Sequence, residues 1–221
     1  MSKPVYRCHY RGRLETDDRS VIDPLMAECK NAARAMIDEG KLMTAGLFYH
    51  GNMVFLYYEA IGEECAPESF MSALHPILAQ WPEKEETRDW ARMHMIFWHN
   101  EPIDDEDWKR TVKPDRRRGR IALLKPDKIW GYVYHHYAIV QEGLLTGDRY
   151  QAIALHEDIL FSYFEEPKGT TFNIRRVENL KSEAIKGWAA VNPSAHFTPL
   201  PGSGGENFLI LPDYFTVGDN D

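Results

Sequence analysis

Two ten-residue segments of this sequence match each other closely enough to indicate an internal duplication. His50–Glu59 and His156–Glu165 share His, Phe, Tyr and Glu at four aligned positions, and four further positions carry residues of the same kind. The same offset places a predicted helix at Val21–Glu39 over another at Asp127–Leu145. A helix and a hairpin repeated at one spacing are typical of a tandem structural unit. The chain is therefore predicted to contain one fold twice.

Each repeat has the pattern of a βαββαβ unit, the order found in the ferredoxin-like fold. Hydrophobic periodicity in the first half predicts strand Val5–Leu14, helix Val21–Glu39, hairpin strands Leu42–Tyr49 and Met53–Ala60, a helix from Pro67 to Trp81, and strand Trp90–His99. The second half predicts strand Arg120–Leu124, helix Lys128–Leu145 with Asp127 as its N-cap, hairpin strands Tyr150–Leu155 and Ile159–Glu165, helix Glu178–Val191, and strand Asn207–Val217.

The predicted domains are an N-terminal ferredoxin-like domain at residues 1–103 and a C-terminal one at 120–221, with a charged linker at 104–119. The RRRGR run at Arg116–Arg120 is interpreted as a solvated charge cluster of that linker. A four-stranded sheet with helices on one face leaves an aromatic face uncovered, and two such faces bury each other when packed together. The predicted fold class is therefore α+β, with tandem ferredoxin-like repeats, antiparallel sheets and a pseudo-dimeric α/β barrel.

Charge and cysteine content exclude several classes of protein. The net charge of −8 argues against nucleic acid or an anionic membrane as a partner. The three cysteines have neither disulfide nor zinc spacing, which indicates a reducing compartment. Neither a signal peptide nor an apolar run of ~18 residues is present, so we expect a cytoplasmic protein. The absence of HExxH or paired Cys/His motifs predicts no metal.

Tyr132 and His136 are the candidates for chemistry. They are separated by four residues and therefore share one helical face. A histidine titrates near neutral pH and can take or give a proton, which a tyrosine can orient or relay. The alternative interpretation is a half-buried pair with a purely structural role. The core stripe of the same helix is predicted on other positions, namely Ile129, Val133, Tyr137, Val140 and Leu144.

The region Lys125–Glu166 resembles the L-rhamnose mutarotase family. The motifs that carry the resemblance are Lys125-Pro126, Tyr132 with His136, Ala152-Ile153 and Leu160–Glu165, followed further on by Gly187-Trp188, Leu200-Pro201 and Tyr214-Phe215. The sequence departs from the family pattern at Val140-Gln141-Glu142, where the family has Trp-Pro-Glu, and at Gln151, where it has tyrosine. Members of that family are dimeric α/β barrels.

The resemblance implies an isomerase of carbohydrate metabolism that interconverts the anomers of a monosaccharide without a cofactor. His136 would act as the acid and base and Tyr132 as its partner, with the substrate held by Trp188, Gln151 and Tyr163. Two alternatives stay open: a cofactor-free monooxygenase-like enzyme on the same barrel, or a non-catalytic small-molecule binding or assembly protein. The assembly is expected to be a monomeric pseudo-dimer or a homodimer.

Overall fold

The computed structural model describes residues 2–82, 86–145, 147–168, 170–171 and 181–221. Residues 178–180, which open one of the predicted helices, lie outside these ranges. The elements up to the end of the first repeat are β1 Val5–Arg13, α1 Arg19–Asp38, β2 Leu42–His50, β3 Met53–Ile61, α2 Glu68–Met71 with a 3-10 turn at Ser72–Ile77, β4 Trp81–Pro82, β5 Thr87–Arg88, β6 Ala91–Arg92 and β7 His94–Trp98.

The remaining elements are α3 Asp105–Trp108, β8 Arg116–Leu124, a 3-10 turn at Pro126–Lys128, α4 Ile129–Glu142, β9 Gly147–Asp148, β10 Ala152–His156, β11 Ile159–Glu166, β12 Thr170–Thr171, α5 Glu183–Ala190, a 3-10 turn at Pro193–His196, β13 Phe197–Thr198, β14 Leu209–Leu211 and β15 Asp213–Gly218. None of the helices in the described part of the chain is long and apolar enough to span a membrane.

The chain divides into two compact units. Unit 1 comprises Met1–Met93, Pro102–Lys113 and Pro212–Asp221, and unit 2 comprises His94–Glu101 and Pro114–Leu211. Strand β7 follows the first repeat in sequence but belongs to unit 2, and β15, at the end of the chain, belongs to unit 1. Each unit therefore completes its sheet with a strand from the other half of the sequence.

Unit 1 is an antiparallel sheet with strand order β15-β2-β3-β1-β6 and helix α1 packed against it. Helix α1 begins after Asp18, whose carboxylate accepts a hydrogen bond from the Ser20 amide at 2.9 Å. Such an N-cap satisfies an amide that has no partner within the helix. The helix buries one stripe at three- and four-residue steps, namely Ile22, Met26, Cys29, Ala33 and Ile37.

Unit 2 is a second antiparallel sheet, with strand order β13-β8-β11-β10-β7, and β14 pairs with β8 as well. Helices α4 and α5 pack over one face of this sheet, where residues such as Leu160 of β11 and Ile153 of β10 form the core. Strand β8 begins at Arg116, four residues before the predicted strand, because its arginines have partners across the ladder: Arg118 forms an ion pair with Glu166 at 3.2 Å.

Two predicted strands are each divided between the sheets. The predicted strand Trp90–His99 breaks at Met93, so that β6 pairs with β1 and β7 pairs with β10. The predicted strand Asn207–Val217 breaks at Pro212, because proline has no amide hydrogen to continue a ladder. Strand β14 before the proline pairs with β8, and β15 after it pairs with β2.

The internal repeat also has a structural counterpart in hydrogen bonds. The Tyr57 hydroxyl donates to Glu59 at 2.6 Å, and the Tyr163 hydroxyl donates to Glu165 at 2.7 Å. In the neighbouring strands an arginine lies opposite each glutamate, Arg7 opposite Glu59 and Arg117 opposite Glu165. The predicted fold class, α+β with tandem ferredoxin-like repeats and antiparallel sheets, is confirmed.

Candidate functional site

Helix α4 carries both predicted catalytic residues on its buried face. Its fully buried positions are Tyr132, His136 and Ile139. Of the predicted apolar stripe, Ile129, Val133 and Val140 are partly buried against the core, whereas Tyr137 is exposed. The helix follows a 3-10 turn without a side-chain cap, so the predicted capping role of Asp127 is wrong. It ends at Gly143, whose positive φ of 71° suits a residue without a Cβ atom.

Four rings from three segments of unit 2 form a compact group, which we call the ring cluster: Tyr132, His136, Trp188 and His196. The imidazole of His136 lies nearly parallel to the ring of Tyr132, with centroids 3.8 Å apart. The indole of Trp188, on α5, lies 4.8 Å from His136 and 4.8 Å from His196, centroid to centroid. Phe97 of β7 contacts His136 edge-on at 5.5 Å. The histidine is therefore surrounded by aromatic surface.

The tautomer of His136 follows from its hydrogen bond. Its Nδ1 atom lies 2.9 Å from the backbone oxygen of Tyr132. A carbonyl oxygen only accepts, so Nδ1 carries the hydrogen and Nε2 keeps its lone pair. Burial lowers the pKa of His136 from 6.5 to about 4, against the opposing effect of that backbone bond and with help from His135 and His196. The ring is therefore neutral at physiological pH.

Tyr132 remains protonated for the same physical reason. It is buried, and loss of solvent raises the pKa of its hydroxyl well above the ordinary value of 10.0, while the nearby charge of Arg120 opposes that shift. Arg120 is on the same face of β8 as Ala122 and Leu124, which belong to the core under α4. Its Nε atom donates to the Ser162 hydroxyl at 3.4 Å. The site therefore combines a neutral imidazole, a neutral phenol and a guanidinium.

Two members of this site were not predicted from the sequence. Arg120 was assigned to a solvated charge run, and the alternation of β8, once its start at Arg116 is known, would have placed it under the helices. His196 ends a 3-10 turn in a segment without periodicity, so no sequence signal marked it. Within the described residues, the buried Nδ1 atom of His196 has no hydrogen-bond partner.

The structure brings together three of the five predicted site residues. Tyr132, His136 and Trp188 are in contact in the ring cluster. Tyr163 lies on the opposite face of the sheet, because strand residues alternate and Leu160 of the same strand faces the helices. Gln151 is buried just before β10.

A separate cavity of about 790 Å³ lies beside the first turn of α4 in unit 2. Its walls come from β7, from α4 and from the turn between β10 and β11, with His94, Ile96, Trp130, Val133, Leu155 and His156 among them. No member of the ring cluster lines it. Trp130 is 81% exposed at this cavity. Within the described ranges, no group of three or more His, Cys, Asp or Glu side chains is arranged to hold a metal.

No protein-family model matches this sequence, and no curated protein matches it. Similar solved structures include a provisionally named monooxygenase from Fusobacterium nucleatum, with 9% identity, a TM-score of 0.44 and coverage of 98% of this chain and 95% of that one. Another, from Lactobacillus acidophilus, has 8% identity, a TM-score of 0.43 and coverage of 96% of each chain. A provisionally named chlorite dismutase has 11% identity, a TM-score of 0.41 and coverage of 99% and 97%.

These findings correct the family assignment. The prediction of an L-rhamnose mutarotase is wrong: the similar structures are named as monooxygenases and as a chlorite dismutase, and an anthrone oxidase-like protein also matches. The isomerase activity and the role in carbohydrate metabolism that the resemblance implied are wrong with it, and the monosaccharide ligand loses its basis. At these identities and TM-scores, the likenesses assign no activity to this chain.

Proposed function

We propose that unit 2 is a cofactor-independent oxygenase that acts on a small, flat aromatic compound with an acidic C–H or O–H group. The observation that carries the proposal is the free lone pair on Nε2 of His136, fixed by the hydrogen bond from Nδ1 to the oxygen of Tyr132. A neutral imidazole held in one tautomer is suited to act as a general base. Because burial lowers the pKa of His136 to about 4, the ring is neutral near pH 7 and Nε2 is available to take a proton.

The proposed reaction needs no cofactor because oxygen itself is the oxidant. His136 removes a proton from the substrate, and the resulting anion transfers its electron pair to O₂, which forms a C–O bond. The peroxide anion takes the proton back from the imidazolium and then loses water to give a ketone or quinone. The overall balance is one substrate with two removable hydrogens plus O₂, giving the carbonyl product and one water.

The surroundings of His136 support the choice of substrate. The rings of Tyr132, Trp188 and Phe97 present flat apolar surface of the kind that packs against an aromatic substrate. The neutral hydroxyl of Tyr132 and the guanidinium of Arg120 are donors suited to an oxygen that becomes negative as the proton leaves. In the described part of the chain, Tyr132 donates no hydrogen bond that would compete with this role.

The test is oxygen consumption by the purified chain with an anthrone or a hydroquinone. We expect saturable uptake above the uncatalysed rate, and a loss of ~10²–10⁴-fold in His136→Asn, the range of general-base contributions. Tyr132→Phe should cause a smaller loss, since it removes only a donor. His50→Asn, at the end of β2 in unit 1, is the matched control and should keep full activity. Unchanged uptake in His136→Asn would remove the base from the mechanism.

A second candidate, a non-catalytic small-molecule binding protein, is favoured by the cavity of about 790 Å³, because it lies apart from the ring cluster. Pockets of ~300–1,000 Å³ with mainly apolar walls are typical of ligand sites. Thermal stabilisation by a ligand that is not consumed, lost in Trp130→Ala but kept in His136→Asn, would favour binding without catalysis. The opposite pattern of losses would favour the oxygenase.

A further inference from the structure

Unit 1 contains a cavity of about 360 Å³ that the proposed oxygenase does not use. One wall is the end of β1, with Arg11 and Arg13, and the other is the segment that carries Gln80 and Trp81. Its volume is within the range of small-molecule sites. The mouth is partly open, since Arg13 is exposed whereas Arg11 is buried. The cavity is therefore accessible through the end that Arg13 occupies.

The backbone holds these two walls together. The amide of Ala79 donates to the backbone oxygen of Arg13 at 2.8 Å, and Leu14 forms an antiparallel bridge with Leu78. Residues of β1 alternate between faces, and Tyr10 belongs to the core under the helices. The two arginines, at odd positions, therefore point together to the other face, where the cavity lies.

The electrostatics of this cavity differ from those of the whole chain. The protein has a net charge of −8, with 34 acidic and 26 basic residues, yet the described residues of the lining include two guanidinium groups and no carboxylate. The carboxylate of Asp89, which is near Gln80, already has two partners. It accepts a hydrogen bond from the side-chain amide of Gln80 at 2.5 Å and lies 2.8 Å from Nδ1 of His75. Within the described residues Arg13 has no ion pair or hydrogen bond from its side chain. A positive pocket with an available guanidinium is suited to an anion.

The cavity also has a flat apolar wall. The guanidinium of Arg11 lies 4.6 Å from the centroid of the Trp81 ring, a cation–π contact that fixes both groups. Met53 and Pro82 add further apolar surface. We propose that this cavity binds a small organic anion, a carboxylate on a flat apolar body, with Arg13 paired to the carboxylate and Trp81 packed against the body. The guanidinium fork matches the two carboxylate oxygens.

Calorimetric titration of the full chain with 2-naphthoate tests this assignment. We expect one saturable site for naphthoate. The neutral isostere 2-naphthamide should bind at least ~10-fold more weakly, because it cannot form the charged contact with Arg13 and a tenfold change in affinity corresponds to only ~1.4 kcal/mol. Arg13→Gln should weaken naphthoate binding by at least ~10-fold. Arg116→Gln, an exposed arginine of unit 2, is the matched control and should bind as the parent does.

Any one of these results would overturn the proposal: no saturable binding of naphthoate, equal binding of naphthoate and naphthamide, or unchanged binding in Arg13→Gln. Inorganic phosphate is the comparison ligand. If it binds as tightly as naphthoate, the apolar body plays no part and the assignment of a carboxylate on a flat body is wrong. The naphthamide comparison uses the unaltered protein, so it decides the matter even if the variant folds poorly. The oxygenase assay with His136→Asn is independent of this outcome.

Discussion

The imidazole of His136 donates from Nδ1 to the backbone oxygen of Tyr132, 2.9 Å away, and lies nearly parallel to the Tyr132 ring, with centroids 3.8 Å apart. One helical turn thus fixes both the tautomer and the orientation of the histidine. Because the ring is buried among aromatic side chains, its charged form is disfavoured and its pKa is lowered to about 4. A buried neutral histidine of this kind links stability to pH.

His136 should make the protein less stable in acid. The unfolded chain binds a proton at this residue near pH 6.5, whereas the folded protein does so only near pH 4. Between these values the unfolded state holds more protons, so the free energy of unfolding falls as pH falls through this window. Below pH 4 this residue should have lowered the free energy of unfolding by ~3 kcal/mol relative to neutral pH. Urea unfolding at neutral pH and at several acidic pH values measures it.

The variant His136→Asn separates this contribution from other titrating groups. Its stability should fall less steeply than that of the parent between pH 6.5 and about 4. His9, whose pKa is also lowered by burial, contributes in the same direction but is present in both proteins. The difference between the two curves therefore reports His136 alone. Parallel curves would show that the imidazole is not neutral when buried.

Glu59 should be among the most sensitive positions of unit 1. Its buried carboxylate pairs with Arg110 and accepts from the Trp108 indole at 2.9 Å and from Tyr57. Burial would raise the pKa of Glu59, but Arg110 and these hydrogen bonds outweigh it and hold the pKa below its ordinary value. Glu59→Gln removes the charge that faces a buried guanidinium, and we expect a loss of ~3–5 kcal/mol in the free energy of unfolding.

The matched control for this ion pair is Glu166→Gln. Glu166 pairs with Arg118 at 3.2 Å, but both side chains are partly exposed. Exposed pairs contribute ~0–1 kcal/mol because water screens them. Chemical denaturation of both variants should therefore give very different shifts. Similar shifts would indicate that the interior position of Glu59 adds nothing to the pair.

The sequence predicted local structure well because the signals for it are local. The repeat of His50–Glu59 in His156–Glu165, the helical stripe of α1 and the hairpin turns all depend on residues close in the chain. Strand exchange between the units is different. Pro212 is a sequence signal for one of the two breaks. The break at Met93, and the partner strand that each fragment selects, are set by long-range pairing.

The candidate site shows the same limit. Spacing alone placed Tyr132 and His136 on one helical face, but it did not indicate that this face is the buried one, since the core stripe was predicted at other positions. His196 joins them from a 3-10 turn that has no periodic pattern, and Tyr163 was assigned to the site although strand alternation turns it to the other face. The contacts of a side chain across elements depend on packing that one-dimensional patterns do not encode.

Glu142 should stabilise α5 from outside that helix. Its carboxylate accepts from the amides of Glu183 at 2.9 Å and Ala184 at 3.2 Å, and it also pairs with the hydroxyl of Ser182, the N-cap. Negative charge at a helix N-terminus satisfies amides and complements the helix dipole. Glu142→Gln should cost ~1 kcal/mol, the usual magnitude of such caps. Thermal unfolding monitored by circular dichroism measures it.

The matched control for the cap is Glu183→Gln. Glu183 is in the first turn of the same helix, but its carboxylate forms an exposed ion pair with Lys186 at 3.3 Å. That change should alter stability by only a few tenths of a kcal/mol, as expected for exposed pairs. Loss of the cap should also shift the fluorescence of Trp188, which α5 holds against the ring cluster. Equal effects of the two variants would contradict a capping role for Glu142.

Two glycines of unit 2 should respond in opposite directions to the same substitution. Gly187 lies inside α5, and an added Cβ atom would meet nothing closer than the His135 ring at 4.0 Å. Alanine has a higher helix propensity than glycine, so Gly187→Ala should stabilise the protein by ~0.5–1 kcal/mol. At Gly147 an added Cβ would lie 2.2 Å from the His99 ring, so Gly147→Ala must displace that ring and should cost ~1–3 kcal/mol. Thermal melting of the two variants should show a higher melting temperature for Gly187→Ala and a lower one for Gly147→Ala. Destabilisation by Gly187→Ala would mean that α5 does not tolerate the methyl group beside His135.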